Sequence, residues 1–351
     1  SKGNGLIVDE PLIPIVAPPL VKEVRVFERN QSGFQLFRIP ALVKTNKQTL
    51  LVFAEARKLA ANGDGGDIDL VLKRSTDGGK TWGEMITIWN DGANTCGNPV
   101  PIVDKERGVI HLLATWNNQR VYAMKSTDDG LTWTNPKEIT SSVKPAGWGF
   151  YGTGPVHGIQ ISDGPYQGRL VVPSYATVVI NGIRKNSSFM IYSDDRGDTW
   201  KLGNVTKQED VGECTVAELK DGRLLLSMRS NLNYRSMATS DNGGMTWSES
   251  RYDELLVDPL CQGSLLGHKK GNVNTLFFAN PASLTREKVT IRKSSDEGMT
   301  WPQSYQVYAG PSAYTDMVMM NDATLGIVFE TGITSPHGHI LFSQVAVSDI
   351  N

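Results

Sequence analysis

Five copies of one octapeptide, S-x-[D/N]-x-G-x-T-W, constrain this chain more than any other feature. They occupy residues 75–82, 126–133, 193–200, 240–247 and 294–301, with Asn242 taking the Asp position in the fourth. The closing tryptophans, at positions 82, 133, 200, 247 and 301, stand 51, 67, 47 and 54 residues apart. Self-similarity with a period of this size is the mark of propellers, solenoids and arrays.

The physics of the octapeptide is that of a hairpin turn with a plug. Its Ser and Asp oxygens can accept from backbone N–H groups of the turn, Gly supplies a conformation closed to other residues, and Trp folds back onto apolar surface. Strand-like runs such as Ile68-Asp69-Leu70-Val71-Leu72 and Phe189-Met190-Ile191-Tyr192 lead into the copies. Five dispersed copies suit a structural role, in which recurring residues hold each unit together, better than a single reaction centre.

At 351 residues the chain has room for two average domains, yet the repeat runs from about residue 22 to the end, so residues 22–351 read as one large domain. Residues 1–21 carry Pro11, Pro14, Pro18 and Pro19 and read as an extended linker or arm that could join an upstream module. A net charge of −2 leaves no basic excess for nucleic acid or anionic membrane. No apolar run reaches transmembrane length, and the first residues are not a signal peptide. Cys96, Cys214 and Cys261 are too few and too scattered for a disulfide framework or a metal knuckle and read as buried apolar groups. The five histidines form no convincing metal set, so neither metal nor cofactor is expected.

Several polar residues sit where apolar ones belong. Arg38 lies in Phe-Arg-Ile-Pro (37–40), and Arg57 ends the strand-like run 50–57. An arginine among strand apolars is costly to bury unless an anion meets it. The loop 62–67 and its exit carry Asp64, Asp67 and Asp69, which admit three readings: calcium ligands, a solvated turn or a mobile catalytic acid. Glu213 and Arg229 lie symmetrically about the turn Lys220-Asp221-Gly222, which would set them side by side on antiparallel strands. The aromatic loop 147–155 suits ligand contact. The last strand, 340–347, is expected to pair near Val24 and close a sixth blade, removing the open edges.

Together, the boxes, Phe-Arg-Ile-Pro and an ordered Glu, Arg, Arg and Tyr make residues 22–348 resemble the retaining exo-α-sialidase (neuraminidase) superfamily, in which the repeats are called Asp boxes. The resemblance implies an all-β fold: a six-bladed β-propeller of four-stranded antiparallel blades with a central site. It also implies Arg38, Arg229 and Arg292 as an arginine triad, Tyr314 as nucleophile, Glu330 as the carboxylate steadying Arg38, and Arg57 at the sugar O4 pocket. The acid/base is an aspartate beyond Arg57, where Asp64 aligns best and Asp67 is the alternative; Asn98 departs from the Asp that several relatives carry. Expected substrates are sialylated glycoproteins, glycolipids or oligosaccharides, and the expected location is secreted, periplasmic or cell-surface.

The chemistry fits those residue types. Sialic acid carries a carboxylate on its anomeric carbon, so its site needs a fixed, permanently charged clamp, which guanidinium forks supply. A carboxylate nucleophile would approach an anion with an anion; sialidases with a Tyr nucleophile are a recognised exception to the two-carboxylate scheme. A phenol with pKa near 10 needs a base, for which Glu213 is the candidate. Trans-sialidase or intramolecular trans-sialidase activity would use the same residues, whereas a sialoside-binding propeller would have no use for Tyr314, Glu213 and a loop Asp together.

Overall fold

The computed structural model describes residues 17–351. The arm expected over residues 1–21 therefore lies mostly outside the described residues.

Each octapeptide forms the expected turn. In the first, Ser75 Oγ donates to Asp77 Oδ1 (2.8 Å) and accepts from Gly79 N (2.9 Å), while Thr81 donates to Asp77 through both its N–H (3.0 Å) and its hydroxyl (2.5 Å). Gly79, at φ 90°, lies so close to Phe342 that a Cβ would come within 2.1 Å of the ring. The other four boxes repeat these bonds, except that in the fourth Asn242 Oδ1 accepts from Thr246 N while its Nδ2 donates to the Thr246 hydroxyl. Their glycines meet Leu51, His111, Met190 and Leu225, side chains of other sheets. Trp82 packs edge-on against Phe342 and Trp133 against Phe53. The boxes thus close hairpins and also staple neighbouring sheets.

All regular structure is antiparallel β apart from short helical turns, but it does not form six four-stranded blades. The strands build five sheets: three of four strands, one of five and one of seven. The four smaller sheets are propeller-like. The seven-stranded sheet arises because Gln303–Asn321 is one uninterrupted strand of 19 residues. Its first part pairs with Glu287–Ser294 and its second with Thr324–Thr331, joining what sequence periodicity reads as separate units. The chain stays extended through Gly310-Pro311, a pair that ordinarily marks a break.

The final strand His339–Ala346 pairs with Val24–Glu28 as expected, placing Val24 opposite Phe342, but the pair forms the end of the seven-stranded sheet rather than closing a separate sixth blade. The strands at the inner edges of the sheets also meet: Leu36–Lys44 contacts Cys96–Asp104 and Gln303–Asn321, and Val211–Glu218 contacts Ser264–Lys270. They run around a common axis, with apolar cores packed between successive sheets. Cys96, Cys214 and Cys261 are free and buried. Among the described residues, no helix is long and apolar enough to cross a membrane.

Candidate active site

Four strands around the axis carry a β-bulge near one mouth. Their pairing registers slip between Arg38 and Ala41, Gly97 and Val100, Val211 and Cys214, and Ser312 and Thr315. A bulge turns a side chain off the alternating pleat and is common beside active sites. Here the bulges lie at or beside Arg38, Asn98, Glu213 and Tyr314, so residues far apart in sequence come together.

Arg38 is buried and held bidentately by Glu330, with Nε to Oε1 at 3.2 Å and Nη2 to Oε2 at 3.0 Å. The next N–H, of Ile39, donates to Glu330 Oε1 at 2.8 Å. Ile39 has φ 62°, an outlier for a β-branched residue, and this bond helps hold it there. Burial pulls the Glu330 carboxyl upward, but Arg38, His337 and the Ile39 N–H together outweigh it and keep Glu330 below its ordinary value.

Arg38 pairs across the sheet with Glu55, and Leu36 with Arg57. Glu55, which sequence reading passed over, takes Arg57 Nε (3.0 Å) and Nη2 (2.6 Å) on one oxygen and Asn98 N (2.9 Å) on the other. Its signal was its position two residues before Arg57, on the same face of an apolar strand. Arg57 Nη1 reaches outward to Gly63 O and to Asp64 Oδ1, both at 2.9 Å.

Asp64 also lies 3.8 Å from Arg38 Nη1, with its side chain 80% exposed at the mouth. Burial raises its carboxyl, but Arg57 and then Arg38 prevail, holding it below the usual value. Asp67, on the same loop, makes no ion pair with these arginines; its backbone carbonyl binds Lys58 N. Asp69 is buried and bonded by Asn90.

Glu213 and Arg229 stand side by side as their hairpin requires, with Arg229 Nη1 3.1 Å from Glu213 Oε2. The other Glu213 oxygen accepts from the Tyr314 hydroxyl. Burial, then Glu213, push the Tyr314 phenol far above its ordinary pKa, while Arg38 and Arg229 oppose this. Arg38 lies over the Tyr314 ring at 4.9 Å, and Arg286 approaches the same ring at 5.7 Å.

Arg286, which sequence reading did not single out, approaches the Tyr314 ring, and Arg292 does not. Arg292 faces Ser304 across its strand, two residues before the fifth box, with Nη1 buried and unpartnered. Burial lowers its pKa, with Asp253 the opposing charge. Arg292 lies five residues along the strand Glu287–Ser294, roughly 16 Å from its start, which carries it away from the mouth. Arg286 lies in the loop just before Glu287–Ser294, where strand patterning gives no signal.

Tyr175 also faces the cluster. Its ring lies over Gly152, where a Cβ would come within 2.4 Å, and burial followed by Glu213 drives its phenol well above the ordinary value. Phe150 packs against it at 5.6 Å, and both line a 420 Å³ pocket beside Glu213 and Arg229. Trp148 instead packs on Phe189 in the core, and Trp116 donates to Asp91 at 2.7 Å. The assembled site therefore offers an anion clamp, a buried phenol on a carboxylate and an exposed loop carboxylate.

The BNR repeat-like domain profile matches residues 48–327. An exo-alpha-sialidase of Arthroderma benhamiae is 31% identical over 298 residues, covering 76% of this chain and 68% of that protein. The chain belongs to the sialidase family. Another family member, a sialidase of Bacteroides fragilis, is 34% identical over 352 residues, 90% of this chain; the chain spans only 62% of its length. Among solved sialidase structures, Hadza microbial sialidase Hz136 superposes with a TM-score of 0.84 at 29% identity, covering 94% of this chain and 69% of that one.

Proposed function

We propose that the chain is an exo-α-sialidase that hydrolyses terminal α-linked sialic acid from glycoproteins, glycolipids or oligosaccharides with retention. One observation carries this reading: Arg38, Arg229 and Arg286 surround a buried Tyr314 whose hydroxyl donates to Glu213.

The three guanidinium groups take the sugar carboxylate through charge-assisted bonds, and Glu330 fixes Arg38 and offsets the local positive charge. Tyr314 attacks the anomeric carbon as its proton passes to Glu213, forming a tyrosyl–sugar bond while the glycosidic C–O bond breaks. Asp64 gives its proton to the departing oxygen, then takes one from the water that cleaves the intermediate; Glu213 returns its proton to Tyr314. Two displacements give net retention. Arg57 holds the Asp64 loop and borders the sugar. A bound carboxylate neutralises Arg38, lifting the Asp64 pKa toward the range a general acid needs.

In this reading residues 22–351 form the catalytic unit, and the enzyme acts outside the cell, where its glycans are displayed.

The test is fluorescence release from 4-methylumbelliferyl sialic acid by wild type and Tyr314→Phe, with proton NMR of the first-formed sugar. Release that requires Tyr314 and gives the α-anomer first supports the reading. The β-anomer first, or sialoside binding without release, overturns it. Products formed with lactose present separate hydrolysis from transfer, since a sialylated acceptor or an anhydro sugar cannot arise by hydrolysis.

A further inference from the structure

The strands around the axis share a direction. Arg38 and Glu213 lie toward the starts of Leu36–Lys44 and Val211–Glu218, at the mouth described above. The ends of the same strands reach a second, opposite opening. Between the two lies a fully buried polar layer: Asp316 accepts from Leu42 N (2.8 Å), His157 N (2.9 Å) and the His157 ring at Nδ1 (2.6 Å). Gln262 ties Pro155 O to Thr315 O with bonds of 2.9 and 2.8 Å.

Beyond this layer is a cavity of 480 Å³, within the range of small-molecule sites. Its walls are apolar, with Leu42, Val103, Ile159, Leu266 and Met317 contributed by five different strands. Three lysines, Lys44, Lys105 and Lys269, and one carboxylate, Glu218, line it together with His157, His268, Gln160, Ser162 and Asn274. Glu218 is already engaged, accepting from Ser162 N and Oγ at 2.9 Å each and from Lys269 at 3.0 Å. Lys44 Nζ donates to Met320 O at 2.6 Å, and burial followed by the Lys105 charge lowers its pKa. Lys105 uses its backbone, taking Gln160 Oε1 on its N–H and Asn46 Nδ2 on its carbonyl, and its ammonium has no partner among the described residues.

Lys269 is met by Glu218 at 3.0 Å and by Asp163 at 3.4 Å, whereas Lys44 and Lys105 have no carboxylate partner among the described residues and leave a positive field at the rim. A ligand with an apolar body and one negative head satisfies both halves: the body displaces water from the walls, and the head pairs with Lys105 and Lys44. We infer that this opposite mouth is a second ligand site, for a small amphipathic anion such as a medium-chain or aryl carboxylate, separated from the sugar site by the Asp316 layer. The site stands independently of the reaction proposed above.

Calorimetric titration of the full chain with octanoate tests it, using uncharged octanamide as comparator and repeating each titration with saturating N-acetylneuraminic acid. The expected result is one octanoate per chain, bound at least tenfold more tightly than octanamide and unaffected by the sugar. Lys105→Glu, at an exposed position outside the sugar site, should weaken octanoate tenfold or more with unchanged sialoside turnover. Absent saturable binding, equal affinity for the amide, displacement by the sugar, or full affinity in Lys105→Glu would each overturn the assignment.

Discussion

Tyr314 donates its hydroxyl to Glu213 across 101 residues of sequence, and the same carboxylate holds Arg229 through its other oxygen. The phenol therefore has a built-in proton acceptor, while burial and Glu213 keep it neutral until it reacts. Under the proposed mechanism Tyr314→Phe removes the nucleophile and should cut kcat by roughly 10³-fold or more, as losing a catalytic-unit member does. Glu213→Gln keeps the shape, loses the base and should cost on the order of 10²- to 10⁴-fold. Steady-state turnover of an aryl sialoside measures both; near-wild-type kcat in either variant would remove that residue from the mechanism.

The loop's geometry favours Asp64 as the proposed acid. Asp64 reaches both Arg57 and Arg38, whereas Asp67 reaches neither. Asp64→Ala should depress hydrolysis of a natural sialyllactose far more than that of an aryl sialoside, whose leaving group needs little protonation. Asp67→Ala should change the two substrates equally and by less than about threefold, the usual reach of a surface substitution. If Asp67→Ala showed the leaving-group dependence instead, the roles would exchange.

Arg57 and Asp64 together predict a direction in pH. Arg57 is the leading charge that lowers the Asp64 pKa, so removing it raises that pKa and lets the protonated acid persist to higher pH. The alkaline limb of kcat/KM, which reports the free enzyme, should therefore move upward in Arg57→Met even as kcat/KM falls. A limb that stays put or moves down would detach Asp64 from it.

The box turns were legible because every bond in them closes within a few residues of the motif. The Glu213–Arg229 pair was legible because an Asp-Gly hairpin fixes its own register. Arg286 was not, since it stands in a loop and its role depends on where sheet packing carries that loop; Arg292 borders the fifth box and is easier to align. Glu55 was hidden because an acid in an apolar run gains meaning only once Arg57 and Asn98 are seen to share it. The merging of two expected blades escaped notice because Gly310-Pro311 reads as punctuation, yet the backbone stays extended through it.

The two arginines can be separated directly. If the proposed clamp holds the substrate carboxylate, Arg286→Met loses a charge-assisted bond worth about 1.5–3 kcal/mol, and kcat/KM should fall on the order of 10- to 100-fold. Arg292→Met should leave kcat/KM near wild type. Because it also removes a buried guanidinium nitrogen without a partner, the melting temperature should hold or rise. Kinetics and thermal melts of both variants decide, and a kcat/KM loss confined to Arg292→Met would restore the sequence assignment.

Stability should depend on pH through His111. Its ring is 4% exposed, seated against Gly197 of the third box and edge-on to Trp200 at 6.5 Å, with Nε2 unpartnered. Burial lowers its pKa to about 4, and the opposing pull of Asp104 does not compensate. A folded pKa below the unfolded value of about 6.5 means the neutral ring favours the folded state. That contribution is complete above about pH 6.5 and is lost as pH falls toward 4, with an upper size on the order of 3 kcal/mol. His337, lowered to about 4 by burial first and Arg38 next, titrates in the same window. Denaturant midpoints should therefore drop between pH 7 and 4.5, and His111→Leu, which fills similar volume without a titrating group, should flatten part of that drop and leave the His337 share. An unchanged slope in His111→Leu would show that the imidazole is solvated rather than buried neutral.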